Sequence, residues 1–161
     1  MSIVGVRIDG RLIHGQVANL WATKLNISRF MVVDNEVAQN DIEKSGLKLA
    51  TPSGVKLSVL PVEKAANNIL AGKYDSQRLF IITKKPNYIL KLIELGVPIE
   101  EINVGNMSQS KDTKAVTKSI NVEEKDIEDF KAINDLGVKI ISQMVPGDKE
   151  EDFMSLLKKV K

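Results

Sequence analysis

Apolar runs of strand length alternate with segments of helical period along this chain, and no other feature limits its possible folds so strongly. Residues 3–6, 29–33, 55–60, 79–82 and 138–145 read as strands. Between them, residues 14–25, 41–50, 61–70, 89–95 and 123–136 place apolar side chains three and four apart, the spacing of one helix face. A final amphipathic helix over 148–161 carries Phe153, Leu156, Leu157 and Val160 on one side and lysines on the other. The punctuation agrees, with Asn26, Gly72, Gly96 and Gly137 following helical segments and Pro61 suited to a first helical turn. Strands that are apolar throughout need cover on both faces. The pattern therefore specifies an α/β fold, an open parallel sheet with helices on both faces. One domain spanning residues 1–161 is expected at this length. Residues 119–122 add a short strand. The polar stretch 108–118 has no core pattern and reads as a long loop or exposed ribbon, either a partner's docking point or plain surface.

Composition removes whole classes of activity. Lysine and arginine number 23 against 21 acidic residues, and a formal charge of +2, evenly interspersed, announces neither a nucleic acid nor an anionic membrane. Aromatic residues make up 4%, too few for a platform that stacks single-stranded bases. Cysteine is absent, which removes disulfides, thiolate metal sites and cysteine nucleophiles, and agrees with a reducing compartment. With one histidine besides, no metal site is expected, and no Gly-x-x-x-x-Gly-Lys-Ser/Thr loop signals nucleotide hydrolysis. No cofactor is expected. Arg7 and Asp9 interrupt the first apolar run too early for a signal peptide, and no stretch approaches the ~20 apolar residues of a membrane span.

The one concentration of chemistry lies at residues 7–17, Arg-Ile-Asp-Gly-Arg-Leu-Ile-His-Gly-Gln-Val. The periods on either side put His14 at a strand-to-helix junction. In an open α/β sheet that junction is the carboxyl edge, where ligands bind, and the helix start from Gly15 and Gln16 offers unpaired N–H groups to an anion. A neutral imidazole is a nucleophile able to take a phosphoryl group, which those N–H groups, Arg11 and Arg7 would stabilise. Asp9 is placed to accept from one ring nitrogen and so decide which of the two attacks. The plainer alternative is a histidine capping its helix beside an exposed charge cluster. Further along, Asp34 at a second strand end would steer the imidazole or a sugar hydroxyl, or else serve the next turn. Thr83 and Lys84, at another strand end, are phosphate contacts or solvated loop residues.

The residue 7–17 stretch resembles the active-site signature of the enzyme IIB component of the mannose/fructose/sorbose class of the bacterial phosphotransferase system. Val37 and Ala38, after a polar cluster, match the same family, as does the Ile-Asn-Val-Gly-x-Met segment within 101–107. Two departures stand out. Asn106 replaces a second glycine, where a left-handed turn is still open to asparagine, and Gly10 stands where the family usually has an acid. The resemblance spans nearly the whole chain and implies a sheet of about seven strands with the last antiparallel. It further implies a phosphocarrier that accepts a phosphoryl group on His14 from a IIA phosphohistidine and passes it to a hexose held by the membrane components IIC and IID. Such a protein works in the cytoplasm against the inner face of the plasma membrane, possesses no cofactor, and is a candidate homo-oligomer. The rival class is a non-catalytic module whose first loop holds a phosphate or phosphosugar as a signal.

Overall fold

Apolar side chains on both sides of a strand demand helices above and below it. The computed structural model, which describes residues 2–160, meets that demand with strands β1 (Ile3–Asp9), β2 (Arg29–Val33), β3 (Lys56–Leu60), β4 (Leu79–Thr83), β5 (Glu101–Asn106), β8 (Lys139–Ser142) and β9 (Glu151–Asp152) in one sheet. Their order is β3-β2-β4-β1-β5-β8-β9, parallel throughout except that β9 runs antiparallel to β8. Helices α1 (Gly15–Leu25) and α2 (Asp41–Ala50) bury Ala18, Trp21, Ala22 and Leu47 against one face, together with Phe30, Val32, Phe80 and Ile82 of the strands. Helices α3 (Val62–Leu70), α4 (Pro86–Glu94), α5 (Glu124–Asp135) and α6 (Phe153–Leu157) cover the other with Ala65, Ile69, Ile89, Leu92, Phe130 and Phe153.

This distribution positions the site. The helix that follows β1 lies on one face, and the helices that follow its neighbours β4 and β5 lie on the other. Loops on either side of β1 therefore diverge, and the carboxyl edge of β1 is the topological switch point at which α/β sheets bind ligands. Strand alternation does the rest: Val6 and Ile8 enter the core beneath α3–α6, so Arg7 and Asp9 turn toward α1.

Several expected boundaries move. The first strand runs on through Asp9, because Arg7 and Ile8 pair with both β4 and β5 and Asp9 pairs with β5. Pro61 caps α3 from outside the helix and does not occupy its first turn. The expected strand at 119–122 is realised as β7 (Asn121–Val122), and it pairs with β6 (Lys114–Ala115) in a separate two-stranded ribbon inside what reads as loop. The largest revision is at the C-terminus. The strand expected over 138–145 stops at Ser142, because the Gln143 and Met144 carbonyls turn to accept from Arg7. The helix expected over 148–161 shortens to α6, since Glu151 and Asp152 form the antiparallel strand and the Asp152 carboxylate caps the helix by accepting from Ser155 N–H (3.2 Å). Lys161 lies outside the described residues.

Short as it is, α6 is held by packing. Phe153 is fully buried with its ring centroid 4.6 Å from that of Phe130 on α5. We expect Phe153→Ala to lower the unfolding free energy by about 3–5 kcal/mol, the usual range for emptying a buried phenylalanine site. Urea denaturation would measure it, and a loss of about 0.5 kcal/mol or less, typical of surface positions, would show that the C-terminal segment is not part of the core.

Candidate functional site

Asp9 ends β1 fully buried, and the loop after it is built on that residue. Its carbonyl accepts from Leu12 N–H (2.9 Å) to close a tight turn, and its Oδ1 accepts from Arg11 N–H (3.0 Å) within that turn. Gly10 N–H donates to the Asn106 carbonyl (2.9 Å) and ties the loop to β5. Leu12 and Ile13 are buried in the core under α1, so the loop cannot lift away as a unit. Leu12 adopts φ 59°, a left-handed backbone that a leucine rarely takes, and Gly15 follows at φ 47°. Between them His14 is extended (φ −152°, ψ 141°) at the position that caps α1.

The imidazole is 24% exposed, and its Nε2 lies 3.3 Å from Asp9 Oδ2. An ionised carboxylate only accepts, so Nε2 carries the ring hydrogen and Nδ1 keeps the free lone pair. The first bond within α1 runs from Ala18 N–H to the His14 carbonyl (3.5 Å), and the N–H groups of Gly15, Gln16 and Val17 have no partner inside the helix. Arg11 is about half exposed at 49%, its Nε 3.7 Å from Asp9 Oδ1. One imidazole held against a buried carboxylate, one half-exposed guanidinium and a helix start thus meet at the switch point, an arrangement able to hold a tetrahedral anion bonded to Nδ1.

With that geometry in place, comparison with known proteins is decisive. The family model described as the PTS system sorbose subfamily IIB component matches residues 3–161. This chain belongs to that family. The fructose-specific EIIB component of Bacillus subtilis (strain 168) is 37% identical over 99% of this chain and 98% of that relative. The mannose-specific EIIAB component of Escherichia coli (strain K12) is 36% identical over 98% of this chain, which corresponds to 49% of the longer relative. Among solved structures, the IIB domain of the sorbose permease from Klebsiella pneumoniae superposes with a TM-score of 0.95 at 30% identity, covering 99% of this chain and 98% of that one.

Not every residue expected at the site of this IIB component is there. Arg7 is 2% exposed: its Nη1 donates to the Gln143 carbonyl (3.0 Å), and its Nη2 to the Met144 carbonyl (3.0 Å) and to Asp9 Oδ2 (3.4 Å). It lies over the Trp21 ring (5.6 Å to the centroid), and Trp21 Nε1 also donates to the Met144 carbonyl (3.1 Å). Burial lowers the guanidinium's pKa, and Asp9 opposes the shift. Arg7 is enclosed beneath Asp9 and is not open to a phosphate. Thr83 is likewise buried, its hydroxyl donating to the Lys85 carbonyl (2.8 Å). Asp34 serves its own turn by accepting from Glu36 and Val37 N–H (both 2.9 Å), the plainer of its two readings.

Asn106 ends β5 without a left-handed backbone, so the turn expected there does not form. Lys84 stays near the edge at 3.7 Å from Glu43 Oε2, and with Gly10 and Ser108 it lines a cleft of about 280 Å³. Asp126 also lines that cleft, and burial raises its pKa above the ordinary 3.8. The missing acid at position 10 also has a local account: an added Cβ there would lie 2.6 Å from Ser108 Oγ, so the serine fills the space. Exposed Gly15 and Gln16 sit at the helix start as expected. Sequence reasoning missed Gln143, Met144, Trp21 and Gly105, which join the site only through tertiary contacts with Arg7.

Leu12 allows strain and burial to be weighed against each other. Leu12→Ala keeps the left-handed backbone and loses the buried side chain, about 2–5 kcal/mol. Leu12→Gly loses the same burial but is relieved of about 1–2 kcal/mol of left-handed strain. We therefore expect glycine to be the more stable replacement, with both variants below the parent in urea denaturation. Alanine more stable than glycine would show that residue 12 is unstrained.

Proposed function

We propose that this chain is the phosphocarrier of a sugar-transporting phosphotransferase system, with His14 Nδ1 as the phosphoryl acceptor. The carrying observation is the 3.3 Å contact between Asp9 and Nε2, which leaves Nδ1 as the nitrogen able to attack. The donor is a phosphohistidine on a IIA domain, a reading supported by the EIIAB name of the Escherichia coli relative. The donor's P–N bond breaks and its nitrogen keeps the electron pair, while the Nδ1 lone pair forms the new P–N bond. No proton moves in this step, because the hydrogen stays on Nε2, which donates it to Asp9 Oδ2. Arg11 and the N–H groups of Gly15, Gln16 and Val17 balance charge on the transferred group, and positioning supplies the rest.

The second transfer breaks the P–N bond, returns the pair to Nδ1 and forms a P–O bond to a hydroxyl of a hexose held by IIC and IID at the cytoplasmic face of the membrane, and the hydroxyl proton passes to a general base on those components. Relatives named for fructose, sorbose, mannose and N-acetylgalactosamine are each 32–37% identical to this chain, which supports placing the choice of sugar with those membrane components.

Incubation with phosphorylated IIA tests the reading. The parent should take up an acid-labile, base-stable label and His14→Ala none. Arg11→Ala should still be labelled, more slowly by on the order of 10- to 100-fold, as befits one half-exposed donor to the moving group. Equal labelling of His14→Ala would end the proposal, and an unlabelled parent would favour a module that only binds phosphate.

A further inference from the structure

Among the described residues, Arg7 is the one buried cation in contact with the site, and it takes no part in the phosphoryl transfer described so far. Its guanidinium passes across Gly105 so closely that a Cβ there would fall within 2.0 Å of Nη2 and 2.6 Å of Nη1. Nothing about the backbone requires glycine, since Gly105 has no left-handed φ. The requirement comes from the arginine, which occupies the space a side chain would fill. From that slot Arg7 donates to the two consecutive carbonyls of Gln143 and Met144 and to Asp9 Oδ2, the same oxygen that faces His14 Nε2.

We infer that Arg7, seated in a slot that exists because residue 105 is glycine, is a positioning residue that aims the Asp9 carboxylate at Nε2 and so keeps His14 in the Nε2–H tautomer. A carboxylate is free to rotate about its last torsion. Arg11 N–H holds Oδ1 from the loop side, and the Arg7 guanidinium holds Oδ2 from below, which leaves the imidazole a single orientation of the acceptor. Arg7 is held in turn by the two carbonyls and by the Trp21 ring. Lysine at position 7 keeps the charge but cannot make two divergent donations from one plane.

This inference rests on the carrier reading, and the test separates the two. His14 is the only histidine, so nitrogen NMR reports its tautomer without interference. The parent should be almost wholly the Nε2–H form. Gly105→Ala, which displaces the guanidinium and removes no titrating group from the chain, should give a mixture of tautomers. It should also slow phosphoryl uptake at saturating donor by about 10- to 100-fold, with the donor's KM little changed, the scale of one lost hydrogen bond to a charged group. Arg7→Met should do the same and Arg7→Lys less. A parent in the Nδ1–H form would defeat the carrier geometry itself. A parent in the Nε2–H form with both tautomer and rate unchanged in folded Gly105→Ala would overturn this inference alone. Loss of folding in all three variants, by circular dichroism, would assign Arg7 to stability only and overturn it too.

Discussion

The structure depends most on one buried carboxylate. Asp9 accepts from the Arg7 guanidinium and lies against the His14 ring through Oδ2, and it accepts from Arg11 N–H through Oδ1. An isolated carboxylate would be very unfavourable in a site with no exposure. Here its lone pairs are met by a cation, a backbone N–H and an imidazole, the condition under which a buried charge is tolerated. Removing one partner of such a pair is far more damaging than never having formed it, about 3–5 kcal/mol, because the remaining charge is left uncompensated. That asymmetry ties the loop between β1 and α1 to the partners of Asp9.

The sheet supplies the conditions for it. Strand alternation sends Arg7 and Asp9 to the same side as α1, and parallel pairing on both flanks of β1 prevents that strand from shifting. Buried Leu12 and Ile13 anchor the loop, and the left-handed Leu12 is the strain that anchoring imposes. Helix α1 then begins at the residue after His14, so the groups that would meet an anion arrive with the fold. Rigidity at this point also bears on chemistry, since a phosphoryl group passed between two proteins must find its acceptor already oriented.

Much of this was legible from the chain itself, for identifiable reasons. Apolar runs such as Leu79 to Ile82 have one stable environment, and they are buried strands here. His14, Asp9 and Arg11 announced themselves because three chemically distinct groups fell within six residues at a change of period. Arg7 was misplaced because a charge that follows the apolar run 3–6 reads as the start of an exposed loop, whereas its partners Gln143 and Met144 lie more than 130 positions away along the chain. Those contacts also end β8 early. The C-terminal helix was overextended because Phe153, Leu156, Leu157 and Val160 have helical spacing, while the local bonds of Asp152 that fix the helix start leave no mark on that pattern. Thr83 shows the same blindness at smaller scale, since a hydroxyl at a strand end serves a ligand or a neighbouring carbonyl equally well by sequence.

The central claim is that Asp9 reserves Nε2 and leaves Nδ1 to react. The direct measurement is phosphorus–nitrogen coupling by NMR on the phosphorylated protein, enriched in labelled histidine nitrogen. The account predicts phosphorus coupled to Nδ1 with a hydrogen retained on Nε2. Phosphorus on Nε2 would contradict it, because the nitrogen that faces the buried carboxylate would then be the one that had attacked.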